Sequence, residues 1–466
     1  MTAESPGVAA ARALCPGFHG ELVLPPDPSY EAVREIWNAA ISKRPALIAR
    51  CRDRQDVAAA IRAAREFELD FSVRGGGHNI AGTSLTEGGL TVDTSLMNGV
   101  SIREAGSSAR VQPGLTWGQL DAATHRAGLA TPGGIVSSTG LTGLALGGGF
   151  GWLSRRFGWT CDNIVSAELI CYDGTLVRAD ERENSELFWA LRGGGGNFGV
   201  VVSLDLRMHP VRQVYAGYLV YPLAEAAAML GFCQQVMQEA ADAACLVIGI
   251  GPPPVSSALP TDARVFRIAL CHSGSPEAGE RLAAGFLRYR RPSYASLGVL
   301  PYPRLQTMLD AGGVRGFGHY AKSHFLKPMS EAAISTLVEH AELAPAARCR
   351  VVLHTCGGQP SRASHPETAF GHRDAAYNLQ IDATWELGEE PADYIDWARG
   401  LWTAMLPFTD GGVYVNFLGI DSDPTDLARA YGPRLDRLRT VKDWYDPENF
   451  FRSNQNIRPS TPKLAR

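Results

Sequence analysis

Long apolar runs, blocks of basic charge and paired cysteines are all missing from this sequence. No apolar stretch approaches the ~18 residues needed to cross a bilayer, so a membrane-spanning role is not expected. The 44 Lys and Arg are interspersed with 48 Asp and Glu, leaving a formal charge of −4 and no electrostatic footprint for nucleic acid or anionic lipid. Nine cysteines stand singly from Cys15 to Cys356 without a C-x-x-C pair. An odd, dispersed set argues against both a disulfide framework and a zinc site, and suits reduced thiols. The opening "MTAESPGVAAARALCPGF" lacks the basic region and sustained apolar core of a secretion signal. A cytoplasmic protein is expected, with neither nucleic acid nor membrane as partner.

Glycine is what the chain has in excess: 50 of 466 residues, about 11% against a usual value near 7%. The surplus gathers at 75–77, 133–151 and 193–199, so it is positional. In "FSVRGGGHNIAG" three glycines run from a short strand into His78. Such a triplet serves a close backbone approach or a positive φ. Otherwise it is a tight turn with His78 exposed on it.

Helical spacing of Val57, Ile61, Ala64 and Phe67 predicts a helix before the strand "DFSVR". Strands follow in "GGLTVDTSLMNGVSI" and "SSARVQPG", then a helix in "TWGQLDAATHRAGL" capped by Gly128. "NIVSAELICYDGTLVRAD" reads as a hairpin turning at Asp173-Gly174. A short helix "SELFWALRG" and a strand "FGVVVSLDLRMHPV" close this part. From about residue 213 helices such as "EAAAMLGFCQQVMQEAAD" and "PEAGERLAAGFLRYR" alternate with strands, among them "ACLVIGIG", "ARVFRIAL", "CRVVLHTCGG" and "GVYVNFLG". The order is α+β, with a second domain whose sheet carries helices on one side. The tail is a helix followed by a polar, Asn-rich return.

Gly194–Gly199 match G-x-G-x-x-G, but a helix precedes and a strand follows, the reverse of the dinucleotide-binding context, so that reading is rejected. The stretch from Gly133 to Gly158 is small and hydroxyl-rich. Its bare N–H groups suit either an anion nest with Ser137, Ser138 and Thr139 as further donors, or close packing on another element.

"SVRGGGHNIAG", the 133–151 segment, "RGGGGNFGVV" and the terminal "YDPENFFRSNQNI" together carry a resemblance. In their order and spacing the chain resembles the berberine-bridge-enzyme-like, FAD-linked oxidases of the vanillyl-alcohol-oxidase (PCMH-type FAD-binding) fold. Within it the chain is similar to bacterial members related to 6-hydroxy-D-nicotine oxidase and to polyketide-tailoring flavin oxidases. The likeness is dense over 45–205 and 410–457. It implies a two-domain α+β fold: an FAD-binding domain at 1–212 with its core at 43–212, a substrate domain of antiparallel sheet covered by helices at 213–424, and a segment 425–466 returning to the FAD domain.

The resemblance further implies an 8α-histidyl FAD bound through His78, whose neutral imidazole is a competent nucleophile. Val136 stands where some relatives have a second linking cysteine and Cys161 lies too far downstream, so a single covalent link is expected. The cofactor-binding set implied is Arg74, Gly75, Gly76, Gly77, Asn79 and Gly82; then Gly133, Val136, Ser137, Ser138, Thr139, Gly140, Thr142, Gly143, Leu146, Gly147, Gly148, Gly149, Phe150, Gly151 and Asn163; then Gly199, Val200, Val201, Tyr414, Asn416, Asn454 and Asn456. No metal is expected.

For the catalytic base, "YVNF" read as a strand puts Tyr414 and Asn416 on one face, toward substrate or packed at a sheet surface. In "RVVLHTCGG" Val352, His354 and Cys356 share a face, which makes His354 either a general base or a hydrogen-bonded core histidine, and Cys356 a weaker candidate nucleophile. Lys322 matches a recurrent lysine of the family and shares a face with Tyr320 and His324; alternatively that face is solvated. The expected activity is oxidation of a small organic substrate, a secondary metabolite or alkaloid. Tyr414 or His354 takes a proton, a hydride goes to flavin N5, and O2 is the acceptor, in a monomer or homodimer. The rivals are an oxygenase or oxidative cyclase acting on a polyketide-like substrate, and a family member that binds without turnover.

Overall fold

Three main sheets carry the chain in the computed structural model, which describes residues 5–103, 106–362 and 367–460. The first runs Glu21–Val23, Leu47–Arg50, Leu90–Asp93, Phe71–Arg74, with the last three strands parallel. The helix Arg54–Glu66 connects two of them. It starts at Asp53, whose carboxylate accepts from the Gln55 and Asp56 N–H groups, and its Val57, Ala60, Ile61 and Ala64 are wholly buried. Parallel strands are covered on both faces, and all four residues of Leu90–Asp93 are buried.

The second sheet is antiparallel, in the order Val100–Ile102, Ser108–Val111, Val200–Arg207, Ile164–Ile170, Leu176–Ala179. Its last two strands form the expected hairpin, with Gly174 at φ +83°. The third sheet has seven antiparallel strands: Tyr294–Pro301, Gln213–Pro222, Val265–His272, Ala244–Gly251, Arg350–Thr355, Tyr377–Glu386 and Phe317–Leu326. On one face Ile248, Phe266, Ile268, Leu353, Leu379 and Ile381 pack under the helices Ala226–Glu239, Pro276–Tyr289, Glu331–Glu342 and Ala392–Met405. Each such side chain contributes about 1.5–3 kcal/mol by burial. The α+β order and the helix-covered antiparallel sheet are as expected. By the two-residue period, the residues between these look the other way, and that uncovered face is where the site lies.

Two elements depart from expectation. The helix before Gly128 spans only Trp117–His125, and Gly128 turns the chain at φ +72°. The "GVYVNFLG" stretch is not a strand. Tyr414 is extended, Val415–Phe417 form one 3-10 turn, and the Tyr414 N–H bonds the Ser323 hydroxyl at 3.1 Å where a strand would offer a carbonyl. Val413, Tyr414, Leu435, Leu438, Val441 and Ile457 share one apolar core with Trp117, Trp159 and Phe198. The buried Lys442 pins this return: its ammonium donates to Asn197 O (2.8 Å), Phe451 O (3.1 Å) and Asp446 Oδ2 (2.6 Å).

Candidate active site

Between the glycine-rich loops and the uncovered face of the seven-stranded sheet lies a cavity of about 1350 Å³. Ordinary ligand pockets hold ~300–1,000 Å³, so this one has room for a large cofactor and a substrate together.

The glycines make the loops fit one another. A Cβ on Gly76 would sit 2.3 Å from the Gly140 nitrogen, and one on Gly140 would sit 2.4 Å from that of Gly76, so the two loops touch backbone to backbone. Gly77 follows at φ +69° and swings His78 onto the cavity wall. A Cβ on Gly147 would meet the Asn416 amide oxygen at 2.1 Å. The order of elements around Gly194–Gly199 is helix Ser185–Leu191 before and strand Val200–Arg207 after, as in the sequence reading that set aside a dinucleotide fingerprint.

His78 stacks on Trp37 at 5.6 Å between ring centroids and 13° between planes. Its Nε2 lies 3.0 Å from Ser138 Oγ, and Nδ1 has no hydrogen-bond partner among the described residues. Burial, with a smaller contribution from Arg315, holds its pKa down to about 4. The imidazole is therefore neutral at pH 7, with a lone pair to give.

Across the cavity stands His354. Its Nε2 lies 3.0 Å from Gln380 Oε1, Gln380 Nε2 donates to Asp382 Oδ1 at 2.7 Å, and Arg350 Nη2 donates to Asp382 Oδ2 at 3.3 Å. An amide whose nitrogen faces a carboxylate must turn its oxygen to the histidine, so His354 carries its proton on Nε2 and keeps a lone pair on Nδ1. Burial lowers its pKa to about 4, although the Gln380 bond works in the opposite direction. Phe150 lies between this ring (4.7 Å) and that of Tyr414 (4.9 Å). The Tyr414 hydroxyl oxygen accepts from Gly149 N–H and from Asn416 Nδ2, both at 2.8 Å, and burial pushes its pKa well above the ordinary tyrosine value.

Of the residues singled out in the sequence, the cavity wall holds Gly75, Gly76, Gly77, His78, Asn79, Val136, Thr139, Gly140, Thr142, Gly143, Leu146, Phe150, Gly199, Val200, Val201, His354, Tyr414, Asn416 and Asn454. Others lie behind it. Arg74 is paired with Asp93 at 2.5 Å. Ser137 donates twice to Asp310, from its N–H (2.8 Å) and its hydroxyl (2.6 Å). Asn163 is occupied by Phe157 O, Trp159 O and His209. Gly82 is packed on Ile41, Gly133 on Trp117, Gly148 on Phe370, Gly149 on Leu144 and Thr160, and Gly151 on the Gly133 carbonyl. These glycines shape the loops from the rear, and Ser138 and Asn456 also stand off the wall.

Lys322 is a correction. It shares a face with Tyr320 and His324 as expected, but that parity is the helix side of the sheet, where Lys322 pairs with Asp421 at 3.2 Å. Cys356 is buried in the core with its thiol pushed up to about 12, mainly by burial, so it is no thiolate nucleophile. Sequence reasoning missed the polar sheet wall itself: Tyr218, Arg267, Arg350, Gln380, Asp382 and His319. A signal was there, since "YNLQIDATWE" alternates Asn378, Gln380, Asp382 and Thr384 with Leu379, Ile381, Ala383 and Trp385.

The residues present fit FAD. Bare backbone lines one side, and Thr142 Oγ1, Tyr431 OH and Asn454 Oδ1 are buried at the cavity without a hydrogen-bond partner among the described residues. Such orphans await a ligand. Residues 45–180 match the model of the FAD binding domain family, and residues 413–458 that of the berberine and berberine-like family. An FAD-linked oxidoreductase of Dictyostelium discoideum is 31% identical over 432 residues, 92% of each chain. The (R)-6-hydroxynicotine oxidase of Paenarthrobacter nicotinovorans is 32% identical over 463 residues, 95% of this chain and 97% of that one. The crystal structure of 6-hydroxy-D-nicotine oxidase from Arthrobacter nicotinovorans superposes with a TM-score of 0.86 at 30% identity, covering 95% of this chain and 99% of the other. With the fold, the glycine cradle and these likenesses in agreement, this chain belongs to the berberine-bridge-enzyme-like FAD-linked oxidoreductases.

Proposed function

We propose that this protein is an oxidase carrying FAD on a single covalent bond to His78, and that it oxidises a small organic molecule with His354 as base and O2 as final acceptor. FAD, when bound, supplies the two-electron redox chemistry. The observation that carries the reading is His78 itself. It is neutral at pH 7, held flat by Trp37, and engaged by Ser138 at Nε2 so that Nδ1 is the nitrogen left to bond the cofactor. Among the described residues no cysteine lines the cavity, and Val136 and a buried Cys161 offer no second link.

His354 is favoured over Tyr414 by chemistry. A neutral imidazole whose Nδ1 makes no hydrogen bond among the described residues is ready to take a proton during the reaction at pH 7, whereas the Tyr414 oxygen already accepts two hydrogen bonds and its acidity is suppressed. Tyr414 and Asn416 are then positioning residues for the Gly147–Gly149 loop. Acid denaturation followed by mass measurement tests the link. The wild-type polypeptide is expected to retain the mass of FAD and His78→Ala to lose it; release of free FAD from the wild type would remove the assignment.

A further inference from the structure

Among the described residues, the charged side chains on the cavity wall are four arginines, Arg267, Arg304, Arg348 and Arg350, against one carboxylate, Asp382. Two of the four are paired and a third faces solvent. Arg348 pairs with Glu386 and Glu389 and Arg350 with Asp382, while Arg304 is exposed at the mouth. Arg267 differs. It projects from the middle of the sheet onto the cavity face, between Val265 and Ala269, and makes no ion pair among the described residues. The fold makes room for it, since the stem lies across Gly249 on the neighbouring strand, where a Cβ would sit 2.9 Å from Nε.

Among the described residues Arg267 has one hydrogen-bond partner, Pro252 O, which accepts from Nη1 at 2.9 Å. That bond fixes the plane of the guanidinium and leaves the Nε–Nη2 edge free, the side-on fork that matches two carboxylate oxygens. Asp382, the one carboxylate nearby, acts on Arg267 only through space: its hydrogen bonds go to Gln380 and Arg350, and it makes no contact with the Arg267 guanidinium. A half-buried cation without an anion in contact is costly, and burial draws its pKa down to about 10. An incoming carboxylate removes that cost. Nor is the cofactor's diphosphate the natural partner, because the bare-backbone cradle of Gly76 and Gly140 belongs to the opposite wall.

Gly249 pairs with Arg267 on one side and Val352 on the other, two residues from His354. Strands are ~4.8 Å apart and rise ~3.4 Å per residue, so the guanidinium reaching over Gly249 lies roughly 7–10 Å from the imidazole. That is about the span of one or two fused rings.

We propose that Arg267 is the substrate-anion site, and that this enzyme takes an aromatic or polycyclic carboxylic acid whose carboxylate docks on the Nε–Nη2 edge while the bond to be oxidised lies beside His354. The inference rests on the flavin-oxidase reading above. It is tested on the purified holoenzyme by titrating benzoate, 2-naphthoate and anthracene-2-carboxylate, each beside its methyl ester, and following the perturbation of the flavin absorption bands. At least one acid is expected to bind about tenfold to hundredfold tighter than its ester. Arg267→Gln is expected to abolish that preference with flavin content unchanged, and Arg267→Lys to keep part of it. Equal binding of acids and esters, no binding of any acid, or a preference that survives in Arg267→Gln would each overturn the proposal. A protein without flavin bands at all would instead overturn the reading beneath it, so the two failures are told apart.

Discussion

At the level of single residues, the cavity holds two neutral histidines, each with one ring nitrogen unpaired among the described residues. His354 is oriented by a chain of three polar side chains ending in an arginine, and His78 by one hydroxyl and one indole. Replacing His354 by Ala should lower the rate of anaerobic flavin reduction by about 10²–10⁴-fold while flavin content is unchanged. With His354 as the proposed base the neutral form is the active one, and burial holds its pKa at about 4, so kcat/KM should rise as pH climbs through that value and stay flat from pH 6 to 8. A limb near pH 6.5 would instead mark a solvated imidazole. Tyr414→Phe strips two donors, the Gly149 N–H and the Asn416 amide, of their acceptor inside the core. A loss of about 1–3 kcal/mol per stranded donor is expected in urea unfolding. His78, His354, Tyr414 and Asn416 were legible because their types and neighbours are distinctive. Lys322 was misread because alternation tells which residues share a face but not which face meets the cavity.

Among the elements, the glycine loops are held by mutual contact and by the returning tail. Gly76→Ala forces a Cβ to within 2.3 Å of the Gly140 nitrogen, backbone that cannot step aside cheaply. The expected result is loss of bound flavin, read as the ratio of absorbance near 450 nm to that at 280 nm. Gly231, inside the helix Ala226–Glu239, has nothing within 4 Å of where a methyl would stand, so Gly231→Ala should stabilise by up to about 1 kcal/mol and leave flavin content alone. Lys442 and Asp446 are both fully buried, and Asp446 also accepts from the Phe450 and Phe451 N–H groups. Lys442→Met leaves that carboxylate and two carbonyls without their cation, and should cost about 3–5 kcal/mol in the denaturant midpoint analysis. Nothing in the sequence marked Lys442, because a lysine on an amphipathic tail helix ordinarily faces water. The "YVNF" turn was hidden for a related reason: a side chain, Ser323, replaces the strand partner that β-propensity presupposes.

Across the whole molecule, several histidines away from the cavity are also kept neutral by burial, His209 and His324 at about 4 and His272 below its ordinary value. An unfolded chain protonates them near pH 6.5, while in the folded chain His209 and His324 stay neutral until about pH 4 and His272 titrates below its ordinary value. Stability should therefore fall steadily as pH drops from 6.5 toward 4, and thermal unfolding followed from pH 7.5 to 4.5 checks this; a flat profile would contradict it. The glycine-lined side of the cavity could be read from residue order alone, because close backbone packing demands glycine at particular positions, and His78, the proposed link to the cofactor, follows directly after three of them. The substrate side emerged only with the folded chain. Arg267, His354 and the Gln380–Asp382 pair come from three separate strands, and their meaning depends on the register and facing of a seven-stranded sheet. Local residue patterns encode the conformation of a loop, whereas the company a side chain keeps across strands is set only when distant segments pair.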